Sequence, residues 1–138
     1  MTLIEFVNEY FGKEVDFDGH YGAQCVDLFR QYYTDVLGIK EHTGAVEGAK
    51  DLVEKYYFMT KEKKYFELVK DRYSGREGDV AVWGMTATNP FGHVAIVLAR
   101  KPKSLIVFEQ NGFKQGLGAR LNERPLGNVI GYLRARAA

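Results

Sequence analysis

The hydrophobic period of this chain changes once, near Gly78, and no other feature constrains the fold as strongly. Before that point apolar residues recur at helical spacing. After it they come in short runs rich in β-branched and aromatic residues, separated by Gly, Pro or Asn. No Pro/Gly/Ser linker divides the two halves, and 138 residues is an ordinary length for one domain. Helices followed by strands predict an α+β domain over residues 1–138, with N-terminal helices packed on a C-terminal antiparallel β-sheet.

The helices are readable in some detail. Thr2 followed by Glu5 has the spacing of a capping box, and Leu3, Phe6, Val7, Tyr10 and Phe11 share one helical face before Gly12 ends the segment. A second helix is expected from Cys25 to Leu37, with Val26, Phe29, Tyr33 and Val36 or Leu37 on one stripe and Gly38 as its stop. A shorter helix is expected over Gly48 to Tyr56, while Tyr57 to Lys70 is ambiguous by period. Strands are expected at Asp79–Trp83, His93–Ala99, Ser104–Gln110 and Val129–Arg134.

Composition excludes several classes. With 46% hydrophobic and 27% charged residues the chain reads as globular rather than disordered. A formal net charge of +1 argues against an extended polyanion-binding surface, so no nucleic-acid partner is expected. Lys61 to Lys64 and Arg134 to Arg136 read as solvated faces. No apolar run approaches bilayer-spanning length and Met1 to Tyr10 contain no basic leader, so neither membrane insertion nor a signal peptide is expected. A single cysteine rules out an internal disulfide framework, and the core alone must hold the fold.

That cysteine stands at an expected helix N-terminus, where unpaired backbone N–H groups and the helix dipole favour negative charge. Thiolate nucleophiles recur in this setting beside an imidazole, although a packed structural thiol fits Cys25 as well. His93 opens an otherwise apolar strand and is the best candidate base; a core histidine satisfied by a carbonyl is the alternative. His20 and His42 lie in loop-like stretches and are weaker. At the end of the next strand, alternation places Glu109 and Asn111 on one face, where either could orient the imidazole, while Asn111-Gly112 reads equally as a turn.

Ala23-Gln24-Cys25-Val26-Asp27-Leu28, Gly78-Asp79-Val80-Ala81-Val82-Trp83, Gly92-His93-Val94-Ala95-Ile96-Val97 and Glu109-Gln110-Asn111-Gly112 together resemble, in order, the CHAP family. These are the cysteine, histidine-dependent amidohydrolase/peptidase domains of phage endolysins and bacterial autolysins. The resemblance spans essentially the whole chain. It implies a papain-like fold in which Cys25 attacks a peptidoglycan amide, His93 acts as base and then acid, Glu109 orients the histidine and Asn111 assists the same face. The side chain or backbone around Gln24 is similar to the family's oxyanion-stabilising element. Trp83 matches the family's aromatic after the first strand, with core packing as its plainer role.

Spacing suggests a cation as well. Asp16, Asp18, His20, Gly22, Gln24 and Asp27 fall on the odd and the twelfth positions of an EF-hand-like loop, with carboxylates from Asp16, Asp18 and Asp27 and backbone carbonyls from His20 and Gly22. Tyr21 stands where that loop wants glycine, the twelfth position is Asp rather than Glu, and no incoming helix is obvious. An Asp-rich turn with Asp27 favouring the helix dipole is the alternative. The CHAP resemblance implies Ca²⁺, since some phage members carry it just before the nucleophile.

The favoured reading is a peptidoglycan hydrolase, either an N-acetylmuramoyl-L-alanine amidase or an endopeptidase. A papain-like enzyme of another substrate class and a noncatalytic wall-binding module are the alternatives. Groove loops such as Gly84 to Phe91 and Lys114 to Ala119 would decide which bond is cut, and they carry no readable specificity. The expected partner is bacterial peptidoglycan, with a monomeric chain that either is an excised catalytic domain, acts alone or relies on a separate wall-binding domain or subunit. A phage enzyme of this kind would accumulate in the host cytoplasm until the membrane is breached.

Overall fold

Thr2 caps the first helix in both directions. Its Oγ1 accepts the Glu5 N–H at 3.1 Å, and its own N–H donates to Glu5 Oε1 at 3.0 Å. In the computed structural model, which describes residues 1–17, 24–41, 46–110 and 118–136, this capping box opens α1 (Leu3–Tyr10). Phe6 is fully buried against the rings of Tyr32 and Phe108. Phe11 departs from expectation: it lies past the helix end and is 57% exposed, because Gly12 turns the chain at φ +80° and bonds Ala119 instead.

Helix α2 (Cys25–Asp35) begins at the cysteine as expected and ends before Gly38, whose φ is +68°. Its buried face is Leu28, Phe29, Tyr32 and Tyr33; Val26, Val36 and Leu37 are only partly buried. Burying each such large side chain stabilises the fold by roughly 1.5–3 kcal/mol before conformational entropy is counted. Two short helices follow, α3 (Asp51–Glu54) and α4 (Thr60–Tyr65), joined by a 3₁₀ turn at Tyr56–Phe58. The stretch that was ambiguous by period therefore holds a helix that runs straight into a strand.

The strands are β1 (Phe66–Val69), β2 (Val80–Trp83), β3 (His93–Arg100), β4 (Ser104–Glu109), β5 (Arg120–Pro125) and β6 (Val129–Ala135). They form one sheet in the order β1-β6-β2-β3-β4-β5, with every pairing antiparallel. Val80, Val82, Val94, Ile96 and Phe108 face the helices, while Ala81, Trp83, Ala95, Val97, Leu105 and Val107 form a second cluster on the opposite face. That alternation places His93 and Glu109 with the second face.

Two strands depart from the sequence reading. β1 is short and continues a helix, so only its pairing with β6 identifies it. In β5 the polarity is inverted: Arg120, Asn122 and Arg124 are half-buried, while Leu121, Glu123 and Pro125 are exposed. Arg134 corrects the expectation of a solvated basic face. Its guanidinium grips the buried Asp79 carboxylate at 2.9 and 2.8 Å and the Ser74 carbonyl at 2.8 Å.

Candidate active site

Three sequence-selected side chains meet at one end of the sheet. Cys25 is the first residue of α2, His93 the first of β3 and Glu109 the last of β4. The Cys25 thiol lies near enough to the His93 imidazole to favour its protonated form. On the far side of the ring, His93 Nε2 lies 3.1 Å from Glu109 Oε1. With Nε2 engaged by the carboxylate, Nδ1 is the nitrogen left to face the thiol. His93 and Glu109 are buried, at 6% and 1% exposure, whereas Cys25 is only partly covered and remains open to a reacting partner.

The turn before His93 is built for its position. Gly92 has φ +75°, and a Cβ there would collide with the Trp83 carbonyl oxygen and come within 2.8 Å of Lys50 Cβ. Asn89 braces the same turn, donating to the Gly92 carbonyl at 2.9 Å and accepting the Phe91 N–H at 3.1 Å. Trp83 pairs with His93 across β2 and β3, with ring centroids 5.8 Å apart. It is both core and site wall: 7% exposed, it also lines a cavity of about 170 Å³ bordered by His93, Asn89, Arg124 and Asn128.

Burial penalises an imidazolium at His93, but the contacts with Cys25 and Glu109 outweigh that penalty and raise its pKa above the ordinary value. Burial likewise opposes ionisation of Glu109. The hydrogen bonds from His93 and Arg124 prevail, holding its pKa at about 2. Arg124 binds it as a fork, Nε on Oε1 and Nη2 on Oε2, the latter at 2.8 Å. Asn122 adds a bond to Oε2 at 3.1 Å. A thiol beside an imidazole whose tautomer is set by an ionised carboxylate is chemically equipped for nucleophilic attack and proton transfer.

Gln24 is exposed just before α2; its N–H donates to Asp27 Oδ2 at 2.9 Å and its carbonyl accepts from Gln110 Nε2 at 2.9 Å. Gln110, fully buried, also exchanges two bonds with Val15, at 2.6 and 2.7 Å. Sequence reasoning quoted Gln110 without giving it a role and missed Arg124 and Asn122. The available signal was the period-two recurrence of polar residues at 120, 122 and 124. Asn111 lies outside the described residues, as does the weaker histidine candidate His42.

Of the expected cation ligands, Asp18, His20 and Gly22 also lie outside the described residues. Asp16 is exposed and Asp27 is buried, and both offer the hard oxygen donors that Ca²⁺ prefers. One Asp27 oxygen already caps α2 through Gln24. Among the described residues no group of three His, Cys, Asp or Glu side chains is placed to hold a metal ion.

A family model for the CHAP domain matches residues 14–111, and the chain belongs to that family. Endolysin PlyTW of Staphylococcus phage Twort is 33% identical over 126 residues, which cover 85% of this chain and 26% of PlyTW. The crystal structure of the wild-type endolysin LysIME-EF1 superposes with a TM-score of 0.71 at 23% identity, over 95% of this chain and 61% of that one. Ly7917, solved with the hydrolysing product of MDP, superposes with a TM-score of 0.63 at 21% identity, over 96% of this chain and 60% of that one. The fold is α+β and papain-like, and the chain spans about a quarter of the curated relative's length. Among the described residues no helix is long and apolar enough to cross a membrane.

Proposed function

We propose that this chain is a cysteine peptidoglycan hydrolase that cleaves an amide bond of the bacterial cell wall. The observation that carries the reading is the convergence of Cys25, His93 and Glu109 at one end of the sheet, with Glu109 Oε1 3.1 Å from His93 Nε2. Membership in the CHAP family and the likeness to phage endolysins support the substrate class.

In this reading His93 takes the Cys25 proton and the thiolate attacks the amide carbonyl carbon. Negative charge collects on the carbonyl oxygen, near the N-terminus of α2, where the Gln24 side chain and the Cys25 N–H are the proposed donors. His93 then protonates the leaving amine as the C–N bond breaks, which leaves a thioester on Cys25. Water, deprotonated by the same imidazole, hydrolyses that thioester to a carboxylate and restores the thiol. Glu109 stays ionised throughout and stabilises the imidazolium. Asn111 remains in the proposal through its motif alone.

The test is turbidity loss of purified Gram-positive walls with wild type and Cys25→Ala, followed by mass spectrometry of the released fragments. Clearing by wild type alone supports the reading, and the new termini distinguish amidase from endopeptidase. Equal clearing by both proteins rejects Cys25 as nucleophile; no clearing across a broad wall panel rejects the substrate class for this chain acting alone. Release from the host cytoplasm to the wall belongs to the same proposal.

Calcium is proposed on the segment from Asp16 to Asp27, where Asp16, Asp18 and Asp27 would hold it with the carbonyls of His20 and Gly22. When bound, the ion would supply charge neutralisation and would tie the loop to the first turn of α2. Isothermal titration with Ca²⁺ and melting with EGTA test this; no binding heat and an unchanged Tm would reject it.

A further inference from the structure

We propose that Arg124 is a positioning residue of this site: it holds Glu109 as a charged, fixed acceptor on His93 and thereby sets the pH range in which Cys25 and His93 work. The inference rests on the reading of Cys25 and His93 as nucleophile and base.

Geometry carries it. The guanidinium occupies both oxygens of Glu109, and Oε1, the oxygen that faces His93 Nε2, is one of the two it grips. A fork of this kind fixes the plane of the carboxylate as well as its charge. Arg124 is itself held, with its side chain 13% exposed and its guanidinium 6.0 Å from the centre of the Trp83 ring. Among the described residues, the charged and titratable groups around the carboxylate come from three elements. They are His93 on β3, Arg124 on β5 with Arg120 opposite Glu109 in the strand register, and Cys25 on α2 acting through His93. Asn122 is an uncharged neighbour of the carboxylate, and Trp83 flanks His93 and Arg124.

The consequence concerns the tautomer. An ionised Glu109 can only accept, so a neutral His93 keeps its proton on Nε2 and presents a bare Nδ1 to the thiol. A protonated Glu109 would instead donate to Nε2. The neutral ring would then carry its proton on Nδ1 and could not take one from Cys25. At 1% exposure, Glu109 without its cation would be driven toward that protonated form by burial. Arg124 prevents this, and its own positive charge tempers the imidazolium.

The experiment measures the rate of Cys25 alkylation by iodoacetamide against pH in wild type, Arg124→Gln and Arg124→Lys, with Tm for each; it needs no wall substrate. In Arg124→Gln the acid limb of the rate profile should move up by about one pH unit or more, because Glu109 regains its proton. The basic limb should move up as well, because His93 loses a neighbouring cation. Arg124→Lys should restore the acid limb while recovering only part of the rate, since an ammonium keeps the charge but not the fork. A folded Arg124→Gln whose rate falls equally at every pH, with neither limb displaced, overturns the proposal and leaves Arg124 a structural role. A wild-type profile that follows a single ordinary thiol titration overturns the Cys25–His93 reading itself. A failure to clear walls touches neither result.

Discussion

Glu109 and Gln110 are adjacent in the chain and serve opposite sides of the sheet. The carboxylate of the first reaches His93, and the amide of the second reaches Val15 and the Gln24 carbonyl. One dipeptide at the end of β4 therefore sets the base and the approach to the nucleophile against a common frame. The pleat of a strand makes this possible, since successive side chains point to opposite faces.

Replacing Gln110 should loosen that frame. Gln110→Met keeps the volume but strands one N–H and two carbonyls that the amide now satisfies. A loss of roughly 2–5 kcal/mol in urea unfolding is expected, together with slower alkylation of Cys25. A cost below about 1 kcal/mol would show that water or local shifts replace the clamp.

Glu109→Gln tests the orienting role directly. The amide can donate to Nε2 and so favour the tautomer that faces Cys25 with a proton. Wall hydrolysis should fall by about 10²–10⁴-fold with the fold intact. The basic limb of the pH profile should move down, because His93 loses one of the two groups that raise its pKa. An unchanged profile would assign the orientation of His93 to other residues.

Gly92→Ala should damage stability and activity together. The residue sits at φ +75°, and the added methyl meets the Trp83 carbonyl. A destabilisation of about 1–3 kcal/mol is expected from the backbone strain alone. A shift of His93 by about 1 Å would lower kcat by roughly 10²-fold. Thermal melts and wall turbidity read the two effects; full activity in the variant would mean the turn relaxes without moving the imidazole.

Acid should weaken the fold through the same carboxylate. Glu109 titrates at about 2 in the folded protein against a reference of 4.5. Its contribution, on the order of 3 kcal/mol, is therefore full above its unfolded value and is lost as pH falls from about 5 through 2. His93 has the opposite sign, since its raised pKa stabilises the fold below the ordinary value of 6.5 and that contribution fades as pH rises through the folded pKa. The stability difference between wild type and Glu109→Gln should shrink by more than half between pH 7 and pH 3. A difference independent of pH would refute the assignment.

Cys25 and His93 were legible because their signals are local: a helix start and its dipole in one case, a glycine-led apolar strand in the other. The choice between Glu109 and Asn111 was left open by alternation, which puts both on one face. The structure brings Glu109 to His93, and Asn111 lies outside the described residues. Phe11 was assigned to the buried face of α1 by its spacing, yet the chain had already turned at Gly12 to meet Ala119.

Alone, the sequence determined the change from helical to strand-like period near Gly78, four of the six strands, the capping box at Thr2 and the helix that starts at Cys25, and it offered Cys25 and His93 as candidates. Those features follow from periodicity and end chemistry, which report how a segment divides between water and the interior. Tertiary structure decided that β5 is a strand and that Arg124 and Asn122 belong to the site. Its half-buried face is polar because it packs against a buried carboxylate from β4, and a strand whose polar side points inward has the hydrophobic pattern of a loop.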